Sequence, residues 1–561
     1  MKKRLPFRPT WLNLIFILAS FALGAFHEYL CAILSVVLLT ALLIRFHRKK
    51  ELAFSASPVN VILLLFPFLY LLTALWATDR GIALMGFVKL LPLSLFTLLL
   101  SDGEEEREEL LSLLPFVGGA QAVLSAGLMQ IPVLKGFFSV SGRLAGFFQY
   151  PNTFALFLLM GVLVLLTKER LRLSDYLCLA VLVGGILYSG SRTTLVITVV
   201  FAAAAVLTGT DKKKRWIALI GIIALIAAAG IYAVAGGGYR TIGRFLSISL
   251  TESTFLGRLL YWKDGLRLVL QHPFGLGYMG WYFRQFANQT GVYTVQFIHN
   301  DYLQLLLDVG AAGFGLFAFM LAAAFFSKKA DRRKRLMLLA FGGHLLMDFD
   351  LQFTAMWLLL AVLLYTPGER RMTLEKKAAV AAPGVALALL SLWIGLSQGL
   401  YHFKLYKPAA ATWPGNTFAQ VAVMQNESDT EKAALTAERV LRRNPYVAEA
   451  YGAKASAAFS AGDILTMADA KRKQIENAPY RMEYYDEYCY MLAVAFDLYR
   501  QQDDPTGMKF CRNQMLAVPD MLQELEEKTD PLAYRIDDKP SFALSEESET
   551  YIVRVKEIEI P

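Results

Sequence analysis

Apolar residues arrive in this chain as long blocks, and the blocks decide what it can fold into. They lie near residues 11–26, 29–46, 59–76, 81–100, 110–131, 152–167, 174–189, 192–209, 215–236, 301–326, 335–350, 351–366 and 378–399. Several approach the ~20 residues that a helix needs to cross ~30 Å of hydrocarbon. Inside lipid every backbone N–H and C=O must be satisfied within the segment, so such runs fold as helices. A soluble chain with very large cores is the competing reading. A hydrophobic content of 56% and a mean hydropathy of +0.43 weigh against it. The expected fold is all-α: a polytopic membrane domain over residues 1–400 with about thirteen transmembrane helices. The first block, Trp11 to about Phe26, lacks a small-residue cleavage site and reads as the first span rather than a signal peptide.

The net charge of +9 would suit a nucleic-acid partner if it formed one patch. It does not. Basic residues cluster between blocks: Lys2, Lys3 and Arg4; Arg45, Arg48, Lys49 and Lys50; Lys168, Arg170 and Arg172; Lys212 to Arg215; Lys328 to Arg335; and Arg370, Arg371, Lys376 and Lys377. Each falls at the amino terminus or on an even-numbered connection, so the positive-inside rule puts the amino terminus in the cytoplasm. The acidic connection "SDGEEEREE" lies on the same side, and acidic residues weigh little in that rule. The segments 77–81, 132–151, 189–193 and 237–300, and the region of Asp348 and Asp350, then open outside. The tail, 401–561, follows them.

That tail is amphipathic and rich in Ala, Glu, Arg and Lys from about Asn426. Pro445-Tyr446 and Pro479-Tyr480 are separated by a tetratricopeptide period, and Ala453, Ala457 and Ala458 before Gly462-Asp463 suit close helix packing and a turn. A small α-solenoid is expected, with an unrelated pack of helical hairpins as the alternative. Such a tail offers a surface for an envelope protein. The four cysteines, Cys31, Cys178, Cys489 and Cys511, have no metal-ligand spacing, and Cys489 and Cys511 share the tail without the sequence showing whether they pair.

Ionisable residues at the membrane boundary are costly to keep there and are candidates for function. "YSGSRTTLVI" sets Arg192 between two apolar helices, either as a functional cation or as an anchor snorkelling to headgroups. "SVSGRLAGFFQYPNTFALFLL" brings Arg143 near Asn152, which otherwise serves as a cap beside Pro151. The long external loop contains "GRLLYWKDGLRLVLQHPFGLGYMGW", where Arg258, Trp262 and Leu266 recur at helical spacing. An amphipathic helix lying on the membrane surface is expected there. The following "HPFGLGYMG" is a glycine-rich turn rather than a nucleotide loop, because no strand–helix unit surrounds it.

"IHNDYLQLLLDVGAAGFG" then places His299 at a helix start, with Asn300, Gln304 and Asp308 as one polar stripe. Gly310, Gly313 and Gly315 allow a neighbouring helix to come close. Taken alone, His299 is either a helix-end residue or a proton acceptor working near neutral pH. The inferred topology gathers Arg143, Arg192, Arg258, His299 and Asp348 on one side of the membrane. Arginines neutralise a pyrophosphate through paired hydrogen bonds, and a histidine activates a hydroxyl nucleophile. No carboxylate cluster for Mg²⁺ and no zinc ligand set is evident, so neither a metal nor a cofactor is expected.

Three motifs in order resemble the O-antigen ligase and O-antigen polymerase superfamily: "GSRTT", the Arg258 to Gly277 stretch, which reads His-Pro-x-Gly-x-Gly where the family has His-Pro-x-x-Gly-x-Gly, and "HNDYLQ" followed by Gly-x-x-Gly. The resemblance covers about residues 10–366 and leaves the tail outside. It implies a membrane fold of the glycosyltransferase-C type in a bacterial cytoplasmic membrane, with a large external loop. It implies transfer of a glycan from an undecaprenyl-pyrophosphate carrier to a hydroxyl acceptor, a glycan, lipid or protein. It assigns His299 as general base, Arg192 and Arg258 to the pyrophosphate, and Asp348 to a supporting position. Arg143, Asn152, Asn300 and Arg80 (in "WATDRG") are further candidates for substrate contact. Ligase, polymerase and protein O-oligosaccharyltransferase share these features.

Two other classes compete. A transporter would place ionisable groups near the bilayer midplane and show broken, repeated helices. Here the candidates collect at the outer boundary. A scaffold would use the membrane part only as an anchor, and does not require the three motifs.

Overall fold

A computed structural model of the protein describes residues 10–100, 104–208, 216–217, 219–224, 227, 253–368 and 370–560. Lys2, Lys3, Arg4, Lys212 to Arg215, most of the block near 215–236 and the start of the long loop lie outside the described residues. The chain divides into two compact units. One comprises Met1–Leu72, Met85–Ser249 and His299–Leu396; the other comprises Thr73–Leu84, Leu250–Ile298 and Ser397–Pro561.

The structure is mostly helical, and each apolar block other than that near 215–236 corresponds to a helix. In chain order these are α1 (Trp11–Phe21), α2 (Glu28–Lys49), α3 (Pro58–Thr73), α4 (Arg80–Leu100) and α5 (Glu104–Leu128). A short α6 (Pro132–Phe138) precedes α7 (Pro151–Leu166), α8 (Leu173–Ser189) and α9 (Arg192–Leu207). The loop supplies α10 (Ser253–Gln271) and α11 (Gly280–Asn288). Then follow α12 (Asp301–Phe326), α13 (Arg332–Leu345), α14 (Thr354–Leu364) and α15 (Lys377–His402). Among the described residues, five helices are long and apolar enough to cross a membrane: α2, α4, α5, α12 and α15. Helices α1, α3, α7, α8, α9 and α14 are apolar but 10–17 residues long. The first block shows why block length overstates helix length. Helix α1 ends at Phe21, and Gly24 turns the chain at φ 62° before α2 begins.

Helices α7 and α14 carry apolar residues on every side, and nearly all of those residues are buried. A helix apolar all round belongs in the middle of a bundle. Accordingly α7 packs against α5, α8, α9 and α13. Lipid is as apolar as leucine, so this packing depends on close fit rather than on escape from water. A Cβ on Gly185 would meet Leu158 at 2.7 Å and one on Gly161 would meet Pro115 at 3.2 Å, so glycine permits the approach at both places.

One group of polar segments collects around the basic connections of the first unit. Strand β1 (Leu52–Ala56) pairs antiparallel with β4 (Arg370–Leu374), and the intervening pair, β2 (Ser139–Val140) and β3 (Arg143–Leu144), forms a separate hairpin. Asn60 bonds Ser55 and Thr366, Lys334 donates to the Tyr365 carbonyl, and Arg333 pairs with Glu108. The segments carrying the Arg45–Lys50, Lys328–Arg335 and Arg370 clusters and the acidic connection are thus neighbours.

The second unit is built from α10, α11 and the tail. The tail helices are α16 (Tyr406–Thr412), α17 (Thr417–Gln425), α18 (Thr430–Leu441), α19 (Ala448–Ser460), α20 (Ile464–Asn477), α21 (Met482–Gln501), α22 (Pro505–Leu516), α23 (Val518–Lys528) and α24 (Glu546–Glu557). Each packs on the next from α16 to α22, and α24 returns to cover α21 and α22. Pro445-Tyr446 precedes α19 and Pro479-Tyr480 precedes α21, with a left-handed Gly462 (φ 75°) turning the chain between α19 and α20. Cys489 and Cys511 are both buried free thiols, and burial pushes each up to about 12.

Candidate active site

The first unit builds its polar network around the turn between α13 and α14, residues 346–353. Asp348, only 1% exposed, accepts from Tyr150 Oη at 2.7 Å and from Asn152 Nδ2 at 2.6 Å. Asn152 in turn accepts from the Arg143 guanidinium, whose Nε also donates to the Ser189 carbonyl at 2.7 Å. That carbonyl belongs to the last turn of α8, where the helix dipole is negative and a cation is favoured. Pro151 fixes the start of α7, so Tyr150 and Asn152 flank a rigid helix entrance. Arg143, Asn152 and Asp348 are therefore joined by direct hydrogen bonds.

Phe349, the next residue in the turn, touches His299. Their ring centroids are 4.8 Å apart and the planes meet at 87°, while Tyr150 lies 4.5 Å from Phe349 on a tilted plane. His299 has a φ of 49°, a left-handed value that a residue with a Cβ adopts rarely. The residue is half-buried. Asn300 begins α12 as its cap, its Oδ1 accepting from the Leu303 N–H at 3.0 Å, and Asp301 accepts from the Leu351 N–H at 2.9 Å. The expected polar stripe divides here. Asn300 serves the cap, whereas Gln304 donates to Asp308 at 2.8 Å and Asp308 also accepts from Tyr70 at 3.2 Å, inside the bundle.

A second chain of hydrogen bonds supports the start of α9, whose first residue is Arg192. Ser191 bonds Thr194 at 2.8 Å, Thr194 bonds His344 Nε2 at 2.9 Å, and His344 Nδ1 bonds Asp350 at 2.6 Å. Thr153 of α7 completes it by donating to Asp350 at 2.7 Å. Because Asp350 only accepts when ionised, Nδ1 carries hydrogen toward it and, in neutral His344, Nε2 accepts from Thr194; the network assigns this tautomer. All of these groups are buried, as the low-dielectric interior demands of polar atoms that are each satisfied.

Arg80 and Arg258 belong to the second unit. Arg80 is the exposed first residue of α4, following a buried Asp79 that accepts from Thr417 at 2.5 Å and from Asn444 at 3.2 Å. Burial holds the Asp79 carboxyl above its ordinary range. Arg258 lies on α10, half-buried. The stretch expected to be helical is helical. Leu256, Leu260, Asp264 and Leu268 form the buried stripe, and Leu266 is 52% exposed. A buried carboxylate redefines that stripe. Asp264 accepts from the Thr290 N–H and hydroxyl at 2.9 Å and from Tyr293 Oη at 2.8 Å, while burial pushes its own pKa upward. Trp262 Nε1 donates to the Ile298 carbonyl at 2.9 Å, one residue before His299.

The glycine-rich turn is explained by backbone contact, not by phosphate. Gly277 has φ 79°, a Cβ there would lie 2.5 Å from Ala77, and the Thr78 N–H donates to Leu276 at 2.9 Å. His272 of the same motif bonds Arg284 at 3.1 Å, and burial, aided by the Arg284 charge, lowers its pKa. His272 is therefore neutral near pH 7 and works as an acceptor.

Sequence reasoning missed Tyr150, Phe349 and His344. His344 carried a usable signal, a lone histidine in an apolar run just before Asp348 and Asp350; Phe349 carried none among 38 phenylalanines. Among the described residues, no three His, Cys, Asp or Glu side chains are grouped as a metal site. Among curated proteins and solved structures, none matches the chain significantly. Residues 177–318 match the family model described as O-antigen ligase, a stretch that runs from α8 into α12 and contains Arg192, Arg258 and His299. That match supports glycan transfer of the O-antigen ligase kind by a multi-pass membrane protein, with a lipid-linked glycan as donor and a separate acceptor. Residues 177–318 thus match an O-antigen ligase domain, and that match supports the resemblance to the O-antigen ligase and polymerase superfamily.

Proposed function

We propose that the protein transfers or polymerises a glycan carried on undecaprenyl pyrophosphate, at the outer face of a bacterial cytoplasmic membrane. The observation that carries this reading is the coincidence of Arg192, Arg258 and His299 within the matched segment. His299 is the general base. Its imidazole takes the proton of an acceptor hydroxyl as that oxygen bonds to the anomeric carbon of the donor sugar. The bond from that carbon to the pyrophosphate oxygen breaks, and the lipid pyrophosphate leaves with the electron pair. Attack opposite the leaving group inverts the anomeric centre. Arg192 and Arg258 receive the developing charge, so the step proceeds without a metal.

Several features support the assignment. The left-handed backbone at His299 is the kind of local strain that a fold retains where a side chain must be aimed. Phe349 limits the imidazole on one side. Arg143, Asn152 and Asp348 form a hydrogen-bonded chain that reaches the residue before Phe349, and Asn300 caps the helix that follows His299. Arg80 is assigned to acceptor or carrier contact. The mutual contact of the segments bearing the basic clusters agrees with their all being cytoplasmic. On this reading the amino terminus lies inside and the 401–561 tail, read as a tetratricopeptide-like solenoid, outside. Release of undecaprenyl pyrophosphate by the purified protein tests the reading. It should require both a lipid-linked glycan and an acceptor; release without any acceptor other than water, or none with any acceptor, would reject it.

A further inference from the structure

The second unit contains a cleft of about 300 Å³ that no step of the transfer uses. It is formed by α11, the end of α15, α17, the start of α19 and the turn before α21, all within that unit. Its walls are rings: Tyr282, Phe286, Tyr401, Phe418, Tyr446 and Tyr484, every one of them half-buried. Phe418 is central. It stacks on Phe283 at 5.3 Å and meets Tyr282 edge-on at 5.6 Å. Tyr446 is held with the Arg284 guanidinium 4.1 Å from its ring centre. Exposed Gln425, Glu449 and Arg481 stand at the rim.

We infer that this cleft binds a short stretch of saccharide. A pyranose ring presents C–H groups on one face, which suit the negative face of an aromatic ring, and hydroxyls around its edge. Rings in the wall and a carboxylate, an amide and a guanidinium at the rim match that division. The volume is at the low end of small-molecule sites, ~300–1,000 Å³, which admits a few sugar units but no folded partner. Other ligands fit less well. One carboxylate and one guanidinium do not make the single-sign patch that phosphate or nucleic acid requires. Among its described residues the second unit has no strand whose edge could pair with a peptide. The choice of the transferred glycan as the saccharide rests on the transferase reading; the ring-and-rim chemistry does not.

The test uses full-length protein in detergent and, as probe, free oligosaccharides released by mild acid from the lipid-linked glycan of the source cells. Saturation-transfer NMR and fluorescence titration should show binding that Tyr446→Ala weakens about tenfold. Glu449→Gln, an exposed change that leaves the fold intact, should weaken it also, and His299→Ala should not. No binding to wild-type protein, or equal binding to the Tyr446 and Glu449 variants, would overturn the inference. Carrier release separates the two claims. If wild-type protein releases no carrier but binds the probe through Tyr446 and Glu449, the transferase reading fails and the cleft stands. If it releases carrier while those variants bind normally, the cleft fails and the transferase reading stands.

Discussion

The His299 imidazole meets the Phe349 ring edge to face, with centroids 4.8 Å apart. Phe349 therefore restricts where a base at 299 can point. Replacing it by Ala should lower the transfer rate by about 10- to 100-fold, since small misplacements of a reacting group cost that much. Phe349→Tyr keeps the ring and should retain most activity. Initial rates of glycan transfer at saturating donor check both.

Asp348 accepts from Tyr150 and Asn152 in a buried setting. Asp348→Ala leaves those donors without their acceptor and should cost about 1–3 kcal/mol of stability. Asp348→Asn can still accept one of the bonds and should cost less. Thermal unfolding in detergent, read beside transfer activity, separates lost folding from lost chemistry.

The Thr194–His344–Asp350 chain joins α9 to α13 and the following turn. His344→Ala breaks it at both ring nitrogens. It should destabilise by about 2–4 kcal/mol and raise the KM for the donor more than it lowers kcat, because Arg192 starts the helix that this chain anchors. An unchanged KM would show that the chain only stabilises the bundle.

Gly310 breaks α12 at φ 71° and ψ −175°, a conformation that side-chain-bearing residues avoid. Gly310→Ala should cost about 1–3 kcal/mol. Gly315→Ala should be nearly neutral, because a Cβ there meets open space. Both are read from thermal unfolding.

Burial pushes the Asp530 carboxyl up, but the Lys263 hydrogen bond, the Leu532 N–H and the charges of Lys263 and Arg267 together outweigh it and leave the pKa below the ordinary value. A lowered carboxylate contributes stability above its unfolded pKa, about 3.9, and loses that contribution as pH falls through the folded value. The stability gap between wild type and Lys263→Met should therefore be constant above about pH 5 and shrink below about pH 4. Unfolding midpoints across that range check it.

Much of the architecture was legible because hydrophobic blocks are a direct imprint of the solvent. The block at 301–326 and helix α12 coincide in extent. Lengths were less legible: Gly24 and the turn at 346–353 interrupt blocks without changing their hydropathy. The buried stripe of α10 was not legible because Asp264, a charged residue, is buried by partners 26 and 29 positions away. Arg143 and Asn152 were close in sequence, so their pairing was readable; Phe349 and Tyr150 meet His299 and Asp348 only through tertiary packing. Gly310 looked like a packing glycine and serves instead as a break in the helix.

The most direct test of the account is carrier release by His299→Ala and Arg192→Ala proteins that unfold at the wild-type temperature. With a lipid-linked glycan and a hydroxyl acceptor present, each should release undecaprenyl pyrophosphate at least about 100-fold more slowly than wild type. Wild-type rates from both would contradict it.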